Sequence, residues 1–167
     1  MLMKIIVKNK ILKFKNKEIQ CSIGKNGFTS NKIEGDGCTP IGTYKLREIF
    51  FRKDKISLKN EFLIKNTEIR ENSGWCDDIK SEFYNCYIDF PFEHSAERLY
   101  RVDNLYDIFC VIEHNMMPII KNNGSAIFLH VASKQFDPTE GCIAIEKKYL
   151  IEIAEQLDAT SQIVIEP

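Results

Sequence analysis

The chain has 167 residues, with 23 Lys and Arg against 24 Asp and Glu and a net charge of −1. That length suffices for one domain, here 1–167, with its own core and no dependence on disulfides or a structural metal. The charge balance gives no bulk attraction to nucleic acid or to an anionic membrane surface, so neither is an expected partner and a small or neutral ligand is.

The opening MLMKIIVKNKILKFKNKEIQ interrupts each apolar run with Lys or Asn, lacks the apolar stretch of a signal peptide, and reads as the first strands: MKIIV, ILKFK and EIQCSI. No segment approaches the roughly 18 apolar residues of a membrane-spanning helix. The chain as it stands is expected in the cytoplasm, or in the periplasm if a leader has been lost. Turn clusters at Gly24 to Gly27 and Glu34 to Gly37 lead into further strands, TYKLREIFF, FLIKNTEI and YNCYIDF. Trp75, between the last two, either lines a groove or belongs to the core.

HSAERLYRV from His94 reads as a helix, on which His94 and Arg98 share one face at i, i+4 and Glu97 and Arg101 the next. Such a face holds a substrate carboxylate through the planar fork of Arg101 or Arg98, or is a solvated face with its own ion pairs. YDIFCVIEH and AIFLHVA follow as strands, with the Asn122 to Gly124 turn between them and His114 expected to face solvent. EKKYLIEIAEQLD is the second helix, because Leu150, Ile153, Ala154 and Leu157 recur at helical spacing. QIVIE closes the chain as a strand. The expected fold is mostly β with a few helices, mostly antiparallel.

Six cysteines, Cys21, Cys38, Cys76, Cys86, Cys110 and Cys142, contain no C-x-x-C pair, which argues against a zinc ribbon and a thioredoxin-like motif. They read as reduced, mostly buried thiols of a reducing compartment. The stretch that carries chemistry runs from Ser125 to Ile145. His130 ends an apolar strand, and a loop through Asp137-Pro138-Thr139 returns the chain to Gly141-Cys142, so imidazole and thiol can meet on adjacent strands. A thiol of pKa about 8.5 needs a nearby base to act as a nucleophile near neutral pH. Gly141 permits close backbone approach, and the amides around it and Cys142 suit an oxyanion hole. The spacing alone equally permits a hydrogen-bonded core histidine and a buried thiol after a turn.

These residues resemble the L,D-transpeptidase catalytic domain family, the YkuD-type domains. That family places a histidine on one strand and, a loop later, a Ser/Thr-His-Gly-Cys run; His130 and Thr139-Glu140-Gly141-Cys142 follow the same order. Gly35-Asp36-Gly37-Cys38-Thr39-Pro40-Ile41-Gly42-Thr43-Tyr44 is similar to the family's D-G-x-T-P-x-G-x-[FY] segment. The resemblance implies a single-domain β-sandwich or barrel in which Cys142 is the nucleophile, His130 the general base and acid, and the amides near Gly141 the oxyanion donors. No metal or organic cofactor is implied. The implied substrate is a peptidoglycan stem tetrapeptide or muropeptide, cut between the L-centre of its diamino acid and D-alanine, and the implied covalent inhibitor is a carbapenem-type β-lactam.

Two positions depart from the family pattern. Glu140 replaces the histidine before Gly-Cys and either orients His130, reads substrate, or is a solvated loop residue; Ala144 replaces an arginine that would bind the substrate carboxylate. Three functions stay open: an L,D-carboxypeptidase of muropeptide recycling, favoured by the missing export signal and reduced cysteines; an L,D-transpeptidase forming cross-links; and an inactive peptidoglycan-peptide binding domain.

Overall fold

A computed structural model describes residues 3–167. Fourteen strands and one helix are found among them: β1 (Lys4–Lys8), β2 (Ile11–Phe14), β3 (Lys17–Ser22), β4 (Phe28–Thr29), β5 (Thr39–Pro40), β6 (Gly42–Phe51), β7 (Asn66–Glu68), β8 (Ser73–Cys76), β9 (Tyr87–Asp89), β10 (Ala96–Arg98), β11 (Ile108–Ile112), β12 (Phe128–Val131), β13 (Ile143–Ile145), α1 (Lys147–Ala154) and β14 (Gln162–Ile165). The main sheet runs β11-β12-β13-β3-β2-β1-β14-β6-β7, and a further pairing of β11 with β6 closes it into a barrel. Closure removes the free edges that an open sheet would expose. Most pairings are antiparallel, as the sequence implies, but β1–β14, β6–β7, β4–β5 and β12–β13 are parallel.

Alternation along each strand decides what faces inward. Ile5 and Val7 of β1, Ile108, Cys110 and Ile112 of β11, Leu129 and Val131 of β12, and Ile143 and Ile145 of β13 form one buried cluster. The helix joins the same cluster through Leu150, Ile153 and Ala154, with Leu157 just beyond it, so its apolar stripe is buried against the strands. No helix among the described residues is long and apolar enough to cross a membrane.

The opposite faces of β11 and β12 carry Phe109, Val111 and Phe128, which pack in a second cluster with Phe50, Trp75, Leu99 and Tyr106. A small antiparallel sheet, β10-β8-β9, contributes to this layer. Trp75 meets Phe128 edge to face at 5.1 Å, Phe128 stacks on Phe109 at 4.3 Å, and Phe109 stacks on Phe50 at 5.1 Å. Trp75 is therefore core, its indole N–H donating to Asn85 Oδ1 at 3.0 Å.

The helix expected from His94 is absent: Ala96–Arg98 is a strand paired with Cys76, Trp75 and Gly74. The segment has too little apolar surface to bury as a helix, since Leu99 is fully buried while Val102, three residues on, is fully exposed. β8, missed in the sequence, is buried at all four positions, so its Ser-Gly-Trp-Cys shows no alternation to read. His114 is half-buried rather than solvated, with Nε2 2.8 Å from the Asn123 carbonyl and its ring against Tyr44.

Candidate active site

The parallel pairing of β12 and β13 aligns Leu129 with Ile143, His130 with Ala144 and Val131 with Ile145. Since Leu129, Val131, Ile143 and Ile145 occupy the barrel interior, His130, Ala144 and the preceding Cys142 lie on the other face, beside the aromatic layer. A shift of one residue in register would turn the histidine into the barrel.

Thr139 shapes the turn into Cys142. Its hydroxyl donates to the Cys142 carbonyl at 2.6 Å and accepts from the Gly141 N–H at 3.1 Å, while its backbone pairs with Ile23 and Lys25. Gly141 has φ +139° and lies so close to the Cys38 carbonyl that a Cβ would sit 2.7 Å from its oxygen. The Asp36-to-Thr39 segment is fixed in turn: Asp36 accepts from the N–H groups of Ile33 and Cys38 and pairs with Lys32, and Thr39 Oγ1 accepts from Gly24 N–H. The two sequence motifs thus form one packed unit beneath the thiol. Cys38 itself only approaches the Asn26 and Asp36 carbonyls, with no imidazole beside it among the described contacts.

The Cys142 thiol donates to the Ala126 carbonyl at 3.1 Å and accepts from the Phe128 N–H at 3.3 Å. Burial, aided by the negative charge of Glu97, pushes its pKa up to about 12. His130 Nδ1 lies 2.9 Å from the Val131 carbonyl, an acceptor only, so Nδ1 carries the hydrogen and Nε2 is left as an acceptor. Burial lowers the imidazole to about 4, the Val131 hydrogen bond opposing it. Both groups are therefore neutral at rest, and burial, which disfavours either charged form, opposes the raised resting thiolate fraction expected from the sequence. Tyr106 contacts the pair from the side, its ring edge to face with His130 at 5.3 Å and its hydroxyl donating to Glu97 at 2.5 Å.

A cavity of about 590 Å³ opens over these groups, a size suited to a peptide fragment. His130, Cys142, Arg101 and Glu140 line it, as do Lys32, Asp77, Glu97, Tyr106 and Ser125, which sequence reasoning did not assign to the site. Those residues reach it from separate loops and from the small sheet, and only Tyr106, at the head of an apolar strand, carried a local signal. Arg101 bonds Asp103 and lies 5.2 Å from the Tyr106 ring centroid. Arg98 is not part of the lining; it stacks on Phe90 at 4.2 Å. His94 is also outside, 3.2 Å from Asp78. Arg98 ends β10 and Arg101 lies in the loop beyond it, so helical spacing no longer relates the two.

Glu140 pairs with Lys25 at 2.8 Å and its side chain is 76% exposed, so it does not hold the His130 ring. No group of three or more His, Cys, Asp or Glu among the described residues is placed to bind a metal.

No curated protein matches this sequence at a significant level. Residues 2–165 match the L,D-transpeptidase catalytic domain family (YkuD), nearly the whole chain. With that match, the barrel and the shared face of His130 and Cys142, the chain belongs to the L,D-transpeptidase catalytic domain family, cysteine-dependent enzymes acting on peptidoglycan.

Proposed function

We propose that this chain is a cytoplasmic L,D-carboxypeptidase of muropeptide recycling, a cysteine acyl-enzyme that removes D-alanine from peptidoglycan stem tetrapeptides. The observation that carries the reading is the common face of β12 and β13, which places thiol and imidazole in one cavity above a clamped Gly-Cys turn. Sγ of Cys142 attacks the carbonyl carbon at the L-centre as its proton passes to Nε2 of His130. Because both groups start neutral, attack and proton transfer are coupled. The Gly141 N–H is held by Thr139, which leaves the Cys142 N–H as the turn amide for the oxyanion. The C–N bond then breaks as Nε2 returns the proton to the D-alanine amine. Water, deprotonated by the same nitrogen, cleaves the thioester, releasing tripeptide and restoring the thiol.

Arg101 is the cavity's candidate for the substrate carboxylate, in place of the arginine that Ala144 lacks. Release to water is supported by six free cysteines among the described residues, all buried or half-buried, which suit a reducing compartment where soluble muropeptides are the substrate at hand. The test is mass spectrometry of a disaccharide-tetrapeptide incubated with the protein, with and without a D-amino acid acceptor, Cys142→Ala serving as control. Tripeptide formed in water alone is the expected product. Exchange products or dimers formed only with acceptor would make the chain a transpeptidase, and no Cys142-dependent change would make it a binding domain.

A further inference from the structure

The cavity holds more negative charge than its own cations balance. Lys32 and Arg101, the two cations of the lining, are each tied to a carboxylate, Asp36 at 2.5 Å and Asp103 at 2.6 Å. Asp77 and Glu97, also in the lining, form no ion pair among the described residues. Strand pairing explains how they meet: Glu97 lies opposite Trp75 on the β10–β8 ladder, and Asp77 lies two residues after Trp75 on the same side. Asp77 Oδ1 is shielded from solvent without a hydrogen-bond partner. Ser125 Oγ, in the same lining and on a residue only 8% exposed, is likewise unpartnered. Buried acceptors without donors are costly, so a group that donates to them is favoured at this wall.

Resting on the acyl-enzyme reading above, we propose that Asp77 and Glu97, with the Ser125 hydroxyl, form a subsite for a primary ammonium group of the substrate. An ammonium has three donors and no acceptor, matching a wall that offers oxygen atoms and two carboxyl groups outside any ion pair; burial raises the Glu97 carboxyl above its ordinary value despite Arg101 nearby, so a bound cation favours its ionised form. Tyr106 fixes Glu97 by donating to one of its oxygens, which leaves the other for the ligand. The site also adjoins the chemistry, because Tyr106, which holds Glu97, packs edge to face on His130 at 5.3 Å, and Glu97, His130 and Cys142 line one cavity. Two sources carry this group: the side-chain amine of the diamino acid in the acyl donor, and the amine of an incoming acceptor, which must pass one proton to Nε2 of His130 before its lone pair attacks the thioester.

The experiment compares stem tetrapeptides with a free and an acetylated side-chain amine, first in water alone and then with a D-amino acid acceptor, for the native chain, Asp77→Asn and Glu97→Gln. The native chain is expected to prefer the free amine at least ten-fold in kcat/KM, with kcat lowered as well as KM raised for the acetylated peptide, and both variants to bring that ratio toward one. Acetylation leaves the protein untouched, so this arm stands even if a variant folds poorly. A preference lost only in the partition between hydrolysis and exchange assigns the ammonium to the acceptor. Equal rates for free and acetylated peptides, with partition unchanged in the variants, overturn the subsite and leave the acyl-enzyme intact. No turnover of either peptide and no Cys142 adduct with a carbapenem-type β-lactam overturn both.

Discussion

Gly141 rests against the carbonyl of Cys38 with no space for a side chain: an added Cβ would stand 2.7 Å from that oxygen, at a φ of +139° that L-residues rarely adopt. Replacing it therefore combines a backbone clash with conformational strain, on the order of 1–3 kcal/mol for the strain alone. Gly141→Ala is expected to lower the melting temperature and to slow acylation of Cys142 by at least a hundred-fold, because the turn bearing the thiol must move. Thermal unfolding and intact mass after β-lactam exposure measure the two effects. A variant with native acylation would show that the contact does not position the thiol.

His130 accepts a proton only while neutral, and burial holds its conjugate acid at about 4 instead of 6.5. The acid limb of kcat/KM is thus expected near pH 4. Cys142, at about 12, has no neutral-pH thiolate, so its alkylation by iodoacetamide should rise about ten-fold per pH unit from 7 to 10. A plateau below pH 8, read by mass spectrometry against Cys142→Ala, would instead reveal a resting ion pair. His130→Ala should slow acylation about 10²- to 10⁴-fold, the usual contribution of a general base.

The same shifts govern stability. The unfolded imidazole takes up a proton from about 6.5 downward while the folded one resists until about 4, so His130 makes the fold lose stability as pH falls through that window. The unfolded thiol ionises from about 9 and the folded one near 12, so Cys142 makes it lose stability as pH rises above 9. Melting temperatures across the pH range are expected to peak between those limits, and His130→Gln should flatten the acid side.

Arg101 lines the cavity and Arg98 does not, although the sequence offered them together. Arg101→Ala is expected to raise the tetrapeptide KM at least ten-fold, with Arg98→Ala staying within two-fold. Steady-state kinetics on both variants separates them; equal effects would remove Arg101 from carboxylate binding.

Glu140 is an exposed ion-pair partner of Lys25, a contact worth under about 1 kcal/mol. Glu140→Gln should change acylation less than three-fold and the melting temperature hardly at all. A loss of ten-fold or more would mean that its charge reads substrate across the cavity mouth.

While His130 and Cys142 stood out as a pair only through the family resemblance, the sequence by itself determined the strand-rich class, the carboxy-terminal helix and the turn glycine between Thr139 and the thiol. Those features are local: alternation, helical spacing and residue type at one turn suffice to express them. Tertiary structure alone decided the rest. The parallel register of β12 and β13 sets which face receives the histidine, and burial makes thiol and imidazole neutral. Of the small sheet only β9 was legible, within YNCYIDF; β8, buried at all four positions, left no periodic trace, yet the sheet brings Asp77, just beyond β8, and Glu97 of β10 to the cavity. Its β10 arises where a helix was expected, because pairing with β8 and burial of Leu99 outweigh a helical preference that had no apolar face to bury.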